Sequence, residues 1–386
     1  MQAQLMITCR FIAFIMAAFC AMLASFDLRA NQTAEDAQAL FERGQHYLQG
    51  DGVRQDEAQA AYWFYKASEL GHARAQNLLG RMHYEGKSVL QDDIQAVHWF
   101  KKSAEQGHAD AQNNLGLMYH EGRGVPQDAN QALYWYQKAV RQGNAPAQNN
   151  LGSLYLGDRG VPKDDAKAVY WFRKATQQGY APAQYNLGWM YQEGRGVPQD
   201  DIQAIDWFRK AAEQGDAEAQ NELGWIYQEG RGVPQDEVQA VYWFHKATQQ
   251  GYATAQYNLG WMYQEGRGVS QDDAKAVDWY RKAAEQGNAL AQNNLGWMYE
   301  EGRGVPIDDA KAVDWYRKVA GQGYAIAQYN LGTMYEEGKG VPRNYQSAYL
   351  WYSLAAAHGD KDAQNNITVL ERRMSYSDIS KAQARA

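Results

Sequence analysis

The sequence predicts an all-α chain of nine 36-residue helix–turn–helix repeats followed by a C-terminal capping half-repeat, and three observations carry that expectation. Gly44, Gly80, Gly116, Gly152, Gly188, Gly224, Gly260, Gly296 and Gly332 recur at one spacing, as do Trp63, Trp99, Trp135, Trp171, Trp207, Trp243, Trp279, Trp315 and Trp351. No insertion or deletion interrupts the pattern between Ala37 and Asp360. Each copy holds two stretches of helical periodicity separated by a glycine-rich turn. A strictly fixed period of this size means stacked supersecondary units forming one elongated domain, not a single globular core.

The copy at 181–216 justifies both helices. Ala183, Leu187, Met190 and Tyr191 share one helical face, and the run ends at Gly194. This is helix A. After the turn GRGVP, Asp200 reads as an N-cap with Gln203 three residues on, and Ile202, Ile205, Trp207, Phe208 and Ala211 carry helix B to Gly215. The DDIQ and DEVQ copies read as capping boxes, whereas DDAK at Asp164, Asp272 and Asp308 keeps only the cap. Each helix has three to four turns and is about 20 Å long. The GRG turns lack the spacing of a phosphate-binding loop and read as tight connections in which glycine supplies positive φ.

Gly188 lies inside helix A, where glycine costs about 1 kcal/mol relative to alanine. Its recurrence requires close approach of helix B or of the next helix A. Trp207 and its equivalents are expected to fill the volume between neighbouring repeats.

The end copies depart from the pattern as caps do. Arg43 takes the leucine site in the first repeat and is expected to meet solvent. Ile367 and Thr368 replace the leucine and glycine of a tenth copy, and 375–386 reads as a short helix covering the last apolar face. Ser88 and Leu90 replace the second glycine and the proline of the second turn. A double period overlies the first: Tyr185, Tyr257 and Tyr329 alternate with Asn149, Asn221 and Asn293 at one helix A site.

Bulk properties exclude several functions. A formal net charge of -7 with interspersed signs offers no basic face for phosphates, so nucleic acid is not an expected partner. The two cysteines, Cys9 and Cys20, precede the repeats, leaving the array without a disulfide, a thiolate metal site or a cysteine nucleophile. Residues 11–26 form an apolar run flanked by Arg10 and Asp27, matching a secretory signal within 1–30 cleaved after Ala24 or Ala30. The alternative is an uncleaved anchor, the one expected membrane contact. Either reading places the array outside the cytoplasm, periplasmic or secreted.

The pattern AxAQxNLGxMYxEGRGVPxDxxxAxxWxxKAxxQG over 37–360 resembles the Sel1-like repeat, a relative of the tetratricopeptide repeat. The resemblance implies a right-handed superhelical α-solenoid that holds other proteins in a concave groove. Exported bacterial members of similar layout imply an envelope adaptor, with envelope regulators or host proteins as partners. A cysteine-rich branch credited with penicillin binding or β-lactamase activity carries a cysteine pair in each repeat, which this array lacks.

The residue after the helix A glycine becomes tryptophan in four successive copies, Trp189, Trp225, Trp261 and Trp297. On a helical wheel each lies opposite the leucine, near Tyr185 and Gln192 in the fifth copy. The resemblance implies that these sites line the groove. The expected surface comprises Tyr185, Trp189, Gln192, Asn221, Trp225, Gln228, Tyr257, Trp261, Gln264, Asn293, Trp297 and Tyr329, with rigid aromatics and polar contacts suited to peptide recognition. The alternative is that the tryptophans pack between adjacent helices A. Glu193, Glu229, Glu265, Glu301 and Glu337 end helix A, where they either pair with Arg195, Arg231 and their equivalents or with a lysine of helix B, or form an acidic edge selecting basic peptides. Stacked aromatics flanked by amides also suit sugar rings, so a peptidoglycan or exopolysaccharide glycan is the alternative ligand. No catalytic, cofactor or metal set is expected: the carboxylates are identical from copy to copy, and His46, His72, His83, His98, His108 and His120 lack HExxH spacing.

Overall fold

The computed structural model describes residues 33–157 and 160–384, all α-helix and connecting turns with no strand among them. The apolar segment 11–26, its cleavage sites and both cysteines lie outside the described residues. Helix α1 covers 33–49 and is followed by α2 (Glu57–Glu69). The next repeats pair α3 (Ala73–Glu85) with α4 (Asp93–Glu105), α5 (Ala109–Glu121) with α6 (Ala129–Arg141), and α7 (Ala145–Leu156) with α8 (Asp165–Thr176). Then come α9 (Ala181–Glu193) and α10 (Asp201–Glu213), α11 (Ala217–Glu229) and α12 (Glu237–Thr248), and α13 (Ala253–Glu265) and α14 (Asp273–Glu285). The series ends with α15 (Ala289–Glu301) and α16 (Asp309–Ala320), α17 (Ala325–Glu337) and α18 (Tyr345–Ala357), α19 (Lys361–Glu371) and α20 (Tyr376–Gln383). Odd-numbered helices to α17 are the A helices and even-numbered helices to α18 the B helices of a tandem-repeat helical solenoid. Two compact units are distinguished: the first runs to Ala183 and includes Arg195–Val197, and the second comprises Gln184–Gly194 and continues from Pro198. No helix of the described residues is long and apolar enough to cross a membrane.

In both units the recurring glycine faces an aromatic ring of the same repeat. A Cβ added at Gly80 would lie 2.7 Å from the Phe100 ring, at Gly260 2.8 Å from Tyr280 and at Gly296 2.8 Å from Tyr316. Close approach of helix B therefore explains the helix A glycine. The ring in this notch is the residue after the recurring tryptophan, about 100° round the helix. The tryptophans themselves pack between repeats as expected, Trp279 and Trp315 lying against cores that the preceding helix B shares with their own helix A. Trp207, Trp279 and Trp315 lie half-exposed beneath Lys210, Lys282 and Lys318, whose Nζ atoms are 4.1, 4.0 and 3.9 Å from the ring centroids.

The caps form as the residue types dictate. Asp200 accepts from Gln203 N at 3.0 Å, and the Gln203 side chain returns to the Asp200 carboxylate at 2.9 Å. In the DDAK copies the lysine adds an ion pair to its own cap, as in Lys167–Asp164 at 3.0 Å, so the cap is not alone there. His72 and His108 cap α3 and α5 through Nδ1, accepting from Ala75 N and Ala111 N at 3.1 and 3.3 Å. Burial, aided by Arg74, holds His72 below its ordinary range, which keeps that acceptor lone pair free. Both glycines of the GRG turns adopt left-handed φ, 67° at Gly266 and at Gly268; Ser88 takes the same region at 62° and donates to Glu57 at 2.8 Å.

Two ladders join residues 30 apart in sequence, the first within each repeat and the second between neighbouring repeats. The buried helix A glutamine accepts from the glutamine ending the next helix B, as in Gln106–Gln76 at 2.7 Å in the first unit and Gln286–Gln256 at 2.8 Å in the second. The turn arginine reaches the first acidic residue of the preceding helix B, as in Arg195–Asp165 at 2.7 Å and Arg303–Asp273 at 2.8 Å. Arg195 thus pairs with Asp165 of the preceding repeat. The expected pairing occurs at Arg231–Glu229, 3.2 Å, and at Lys339–Glu337, 2.8 Å. Arg43 is exposed, as expected of an end cap, and lies 4.0 Å over the Trp63 ring. At the other end, α20 buries Ala382 against the α18–α19 cluster.

Candidate functional site

All twelve residues of the expected surface lie on helices A of the second unit. Trp189, Trp225, Trp261 and Trp297 are neither fully exposed nor buried. Trp261 packs against the core formed by Phe244, Leu259 and Met262 and also against that of the next repeat around Tyr280. Trp297 bridges the Tyr280 and Tyr316 cores in the same way. Trp225 meets Phe244 edge-on at 6.0 Å. Arginines of the turns cover two of the rings: Arg267 and Arg303 lie 5.0 Å from the Trp261 and Trp297 centroids. The column thus packs on one edge and stays solvent-accessible on the other, joining the two readings of the sequence. The tyrosines that alternate along it are also half-buried, with Tyr185 5.6 Å from Phe208 and Tyr257 5.8 Å from Tyr280.

Three polar members do not belong to the surface. Asn221 and Asn293 are 4% and 6% exposed and accept from Asn258 and Asn330 of the following repeat at 2.8 and 3.2 Å. Gln228 is 7% exposed. They are correct in column but wrong in orientation: the helix A site one residue before the repeating asparagine points toward the next helix A, where an amide joins repeats. Gln264 is half-buried and accepts from Tyr280 Oη at 2.9 Å. Gln192 is half-buried too, and its Oε1 has no hydrogen-bond partner among the described residues.

One residue that sequence reasoning missed changes the electrostatics of this face. Glu222 stands where Asn114, Asn150, Asn258, Asn294 and Asn330 stand in other repeats. The signal was a break at 222 in the asparagine column that otherwise runs from Asn114 to Asn366. Burial pushes its carboxyl above the ordinary range; Arg231 opposes that shift, and Glu218, Glu193 and Glu229 reinforce it. Burial likewise raises Glu218, with Asp216 adding to it. Five acidic groups thus converge around the α9–α11 pair beside one arginine that is itself paired with Glu229. Such a field attracts a cation and repels an anion. Chemically the face offers aromatic edges and carboxylates for binding. Among the described residues no group of three or more His, Cys, Asp or Glu side chains is arranged to hold a metal ion.

Comparison with known proteins agrees with the geometry. The Sel1 repeat profile matches 37–72, 73–108, 109–144, 145–180, 181–216, 217–252, 253–288, 289–324 and 325–360 in unbroken succession. A Sel1 repeat protein from Oxalobacter formigenes is 37% identical over 80% of this chain and 91% of its own, with a TM-score of 0.59. The protective antigen c5321 of uropathogenic Escherichia coli, which displays an SLR fold, is 32% identical over 92% of both chains, with a TM-score of 0.43. Immunity protein PA5088 of Pseudomonas aeruginosa is 27% identical over 55% of this chain and 80% of its own, with a TM-score of 0.41. Among curated proteins no match is found. Nine consecutive family repeats, each with its glycine seated under an aromatic ring, leave one conclusion: the chain belongs to the Sel1 repeat family.

Proposed function

We propose that this chain is a non-enzymatic scaffold or adaptor of the cell envelope that binds protein or peptide segments along the helix A face of repeats five to eight. Sel1 repeat solenoids typically mediate protein–protein interaction, and the family is generally a non-catalytic scaffold. The observation that carries the finer reading is the half-exposed column Trp189, Trp225, Trp261 and Trp297, bordered by Glu222 and the exposed Glu193, Glu229 and Glu265. Rigid aromatics supply contact area at low entropic cost, and an acidic border favours segments bearing lysine or arginine. The apolar run at 11–26 supports work in the periplasm or after secretion, on envelope regulators or host proteins.

A glycan ligand is the second reading. It is favoured by a cavity of about 420 Å³ on the helix B side of repeats five and six, lined by Gln220, Tyr242, Trp243, Gln249 and Gln250. Trp243 Nε1 is buried without a partner among the described residues.

The test places a photo-cross-linking amino acid at Tyr185, at Glu229 and, as a control on helix B, at Asp206 in cells of the native host. Discrete proteins captured from the first two positions and not from the control support the proposal. Capture of peptidoglycan or polysaccharide fragments alone transfers support to the glycan reading. Equal capture from all three positions removes the helix A face from consideration.

A further inference from the structure

The joint between repeats five and six departs from the other joints that carry an arginine. Among the described residues Arg123, Arg195, Arg231, Arg267 and Arg303 each stand between the two glycines of a GRG turn. All but Arg231 cross to the first acidic residue of the preceding helix B: Arg123–Asp93 at 2.6 Å, Arg195–Asp165 at 2.7 Å, Arg267–Glu237 at 2.6 Å and Arg303–Asp273 at 2.8 Å. Arg231 instead lies 3.2 Å from Glu229 of its own repeat, turned so that its buried Nε makes no hydrogen bond among the described residues. Asp201, the half-buried residue it would have met, has no ion pair among them. The backbone follows the side chain. A Cβ added at Gly124, Gly196, Gly268 or Gly304 would run into the carbonyl oxygen of Asp93, Asp165, Glu237 or Asp273. At Gly232 the nearest atoms are Asp201 Cβ and Ile205 Cδ1, both at 3.0 Å, and the Asp201 carbonyl carbon is 3.5 Å away. A cavity of about 10 Å³ opens there, lined by Gln192, Asp201, Ala204, Ile205, Ile226 and Arg231.

Two comparisons within the chain isolate the cause. Lys339 pairs with Glu337 and does not cross to Asp309, yet Gly340 still lies against the Asp309 carbonyl, so loss of the crossed pair does not by itself unseat the glycine. The glutamate that ends helix A is present at the other arginine turns too, as Glu121, Glu193, Glu265 and Glu301, and the crossed pair forms all the same. What the sixth repeat adds is Glu222, two turns before Glu229 on the same face of α11. Around it stand Tyr185 and Glu193 of α9, Glu218 and Glu229 of α11 itself, Arg231 of the turn and Tyr252 before α13. Arg231 is the cation of this group. Two carboxylates of its own helix A therefore compete with Asp201 for one guanidinium.

We propose that this joint is a charge-operated switch. With Glu222 ionised, Arg231 is held on its own helix A and the joint stands open; with Glu222 neutral, Arg231 crosses to Asp201 and Gly232 seats against the Asp201 carbonyl, as at the other arginine turns. A proton is the neutralising agent. Burial, reinforced by Glu218, Glu193 and Glu229 against the opposing Arg231, raises the Glu222 carboxyl, so acidification neutralises it ahead of a carboxylate in water. The joint lies between Trp189 and Trp225, and closing it changes the relation of these first two rings of the column. The switch stands whatever that face binds.

The test compares Asp201→Asn with Asp273→Asn, each alone and combined with Glu222→Asn, by thermal unfolding of the full chain near pH 7.5. Asp273→Asn breaks the Arg303 pair and is expected to lower the midpoint by about 2 °C in either background. Asp201→Asn is expected to leave the midpoint unchanged in wild type and to lower it as much as Asp273→Asn does once Glu222 is asparagine. Crystal structures read the joint directly: Arg231 is expected on Glu229 in wild type near pH 7.5, and on Asp201 both in Glu222→Asn and in wild type near pH 5. An equal effect of Asp201→Asn in the two backgrounds overturns the proposal. So does an Arg231 that stays on Glu229 in Glu222→Asn or near pH 5, or one already on Asp201 in wild type near pH 7.5. The crystal structures decide the matter even if Asp201→Asn unfolds.

Discussion

Tyr280 Oη donates to Gln264 Oε1 at 2.9 Å, a bond between helices B and A of one repeat that recurs as Tyr316–Glu300 at 2.8 Å and Tyr352–Glu336 at 2.9 Å. In repeats five and six the ring is Phe208 or Phe244, which has no hydroxyl. The corresponding Gln192 and Gln228 side-chain oxygens are buried without hydrogen-bond partners among the described residues. An unsatisfied buried acceptor costs more than a made bond returns.

Phe244→Tyr is therefore expected to raise stability by about 1 kcal/mol by giving Gln228 its donor, and Tyr280→Phe to lower it by a similar amount. Urea denaturation of the two variants beside wild type is the measurement. A destabilised Phe244→Tyr would mean that the para position of that ring lacks room for oxygen.

The glycine column makes a larger demand. Gly260 admits no side chain without displacing Tyr280, which is fully buried. Gly260→Ala is expected to cost about 1–3 kcal/mol through overpacking, and Gly260→Leu more. The same expectation holds for Gly224→Leu in the middle of the array. Unchanged thermal midpoints in these variants would contradict the packing described here.

The period of the sequence located every helix, the turn glycines and the columns, because each repeat solves the same packing problem and reports its solution nine times. It did not reveal which of two adjacent aromatics, Trp207 or Phe208, enters the glycine notch. Both are large and apolar, and a rotation of about 100° separates them. Nor did it show that Asn221 and Asn293 face the next helix A, since an amide fits a groove and an inter-repeat bond equally well. The glutamine ladder through Gln256 and Gln286 joins residues 30 apart, a relation visible only when one helix B is seen against the preceding helix A. Glu222 was legible only as an exception to a column.

Trp261 tests the dual character of the column. It touches two successive cores, so Trp261→Ala is expected to destabilise the array by about 3 kcal/mol or more, with Trp261→Phe costing less. Thermal unfolding measures this. Binding experiments on this face accordingly compare phenylalanine with tryptophan at matched stability. A Trp261→Ala variant as stable as wild type would assign the ring wholly to the surface.

The pH dependence of stability should single out Glu222. Its folded-state carboxyl is raised above 4.5 because burial and Glu218, Glu193 and Glu229 disfavour the anion. Below that range both folded and unfolded states are protonated, and the group contributes no difference. As pH rises, the unfolded state loses its proton first and binds fewer protons than the folded state, so stability falls until the folded carboxyl has titrated. At neutral pH the full penalty is present. Glu222→Gln removes the charge and keeps the shape. It is expected to raise the thermal midpoint near pH 7 and to leave it unchanged near pH 3, where wild type is already neutral at this site. The ordinary carboxylates nearby titrate in both proteins and cancel in the difference. A midpoint difference that is the same at both pH values would show that the side chain acts through packing, and that the acidic cluster of repeats five and six holds no electrostatic strain for a bound cation to relieve.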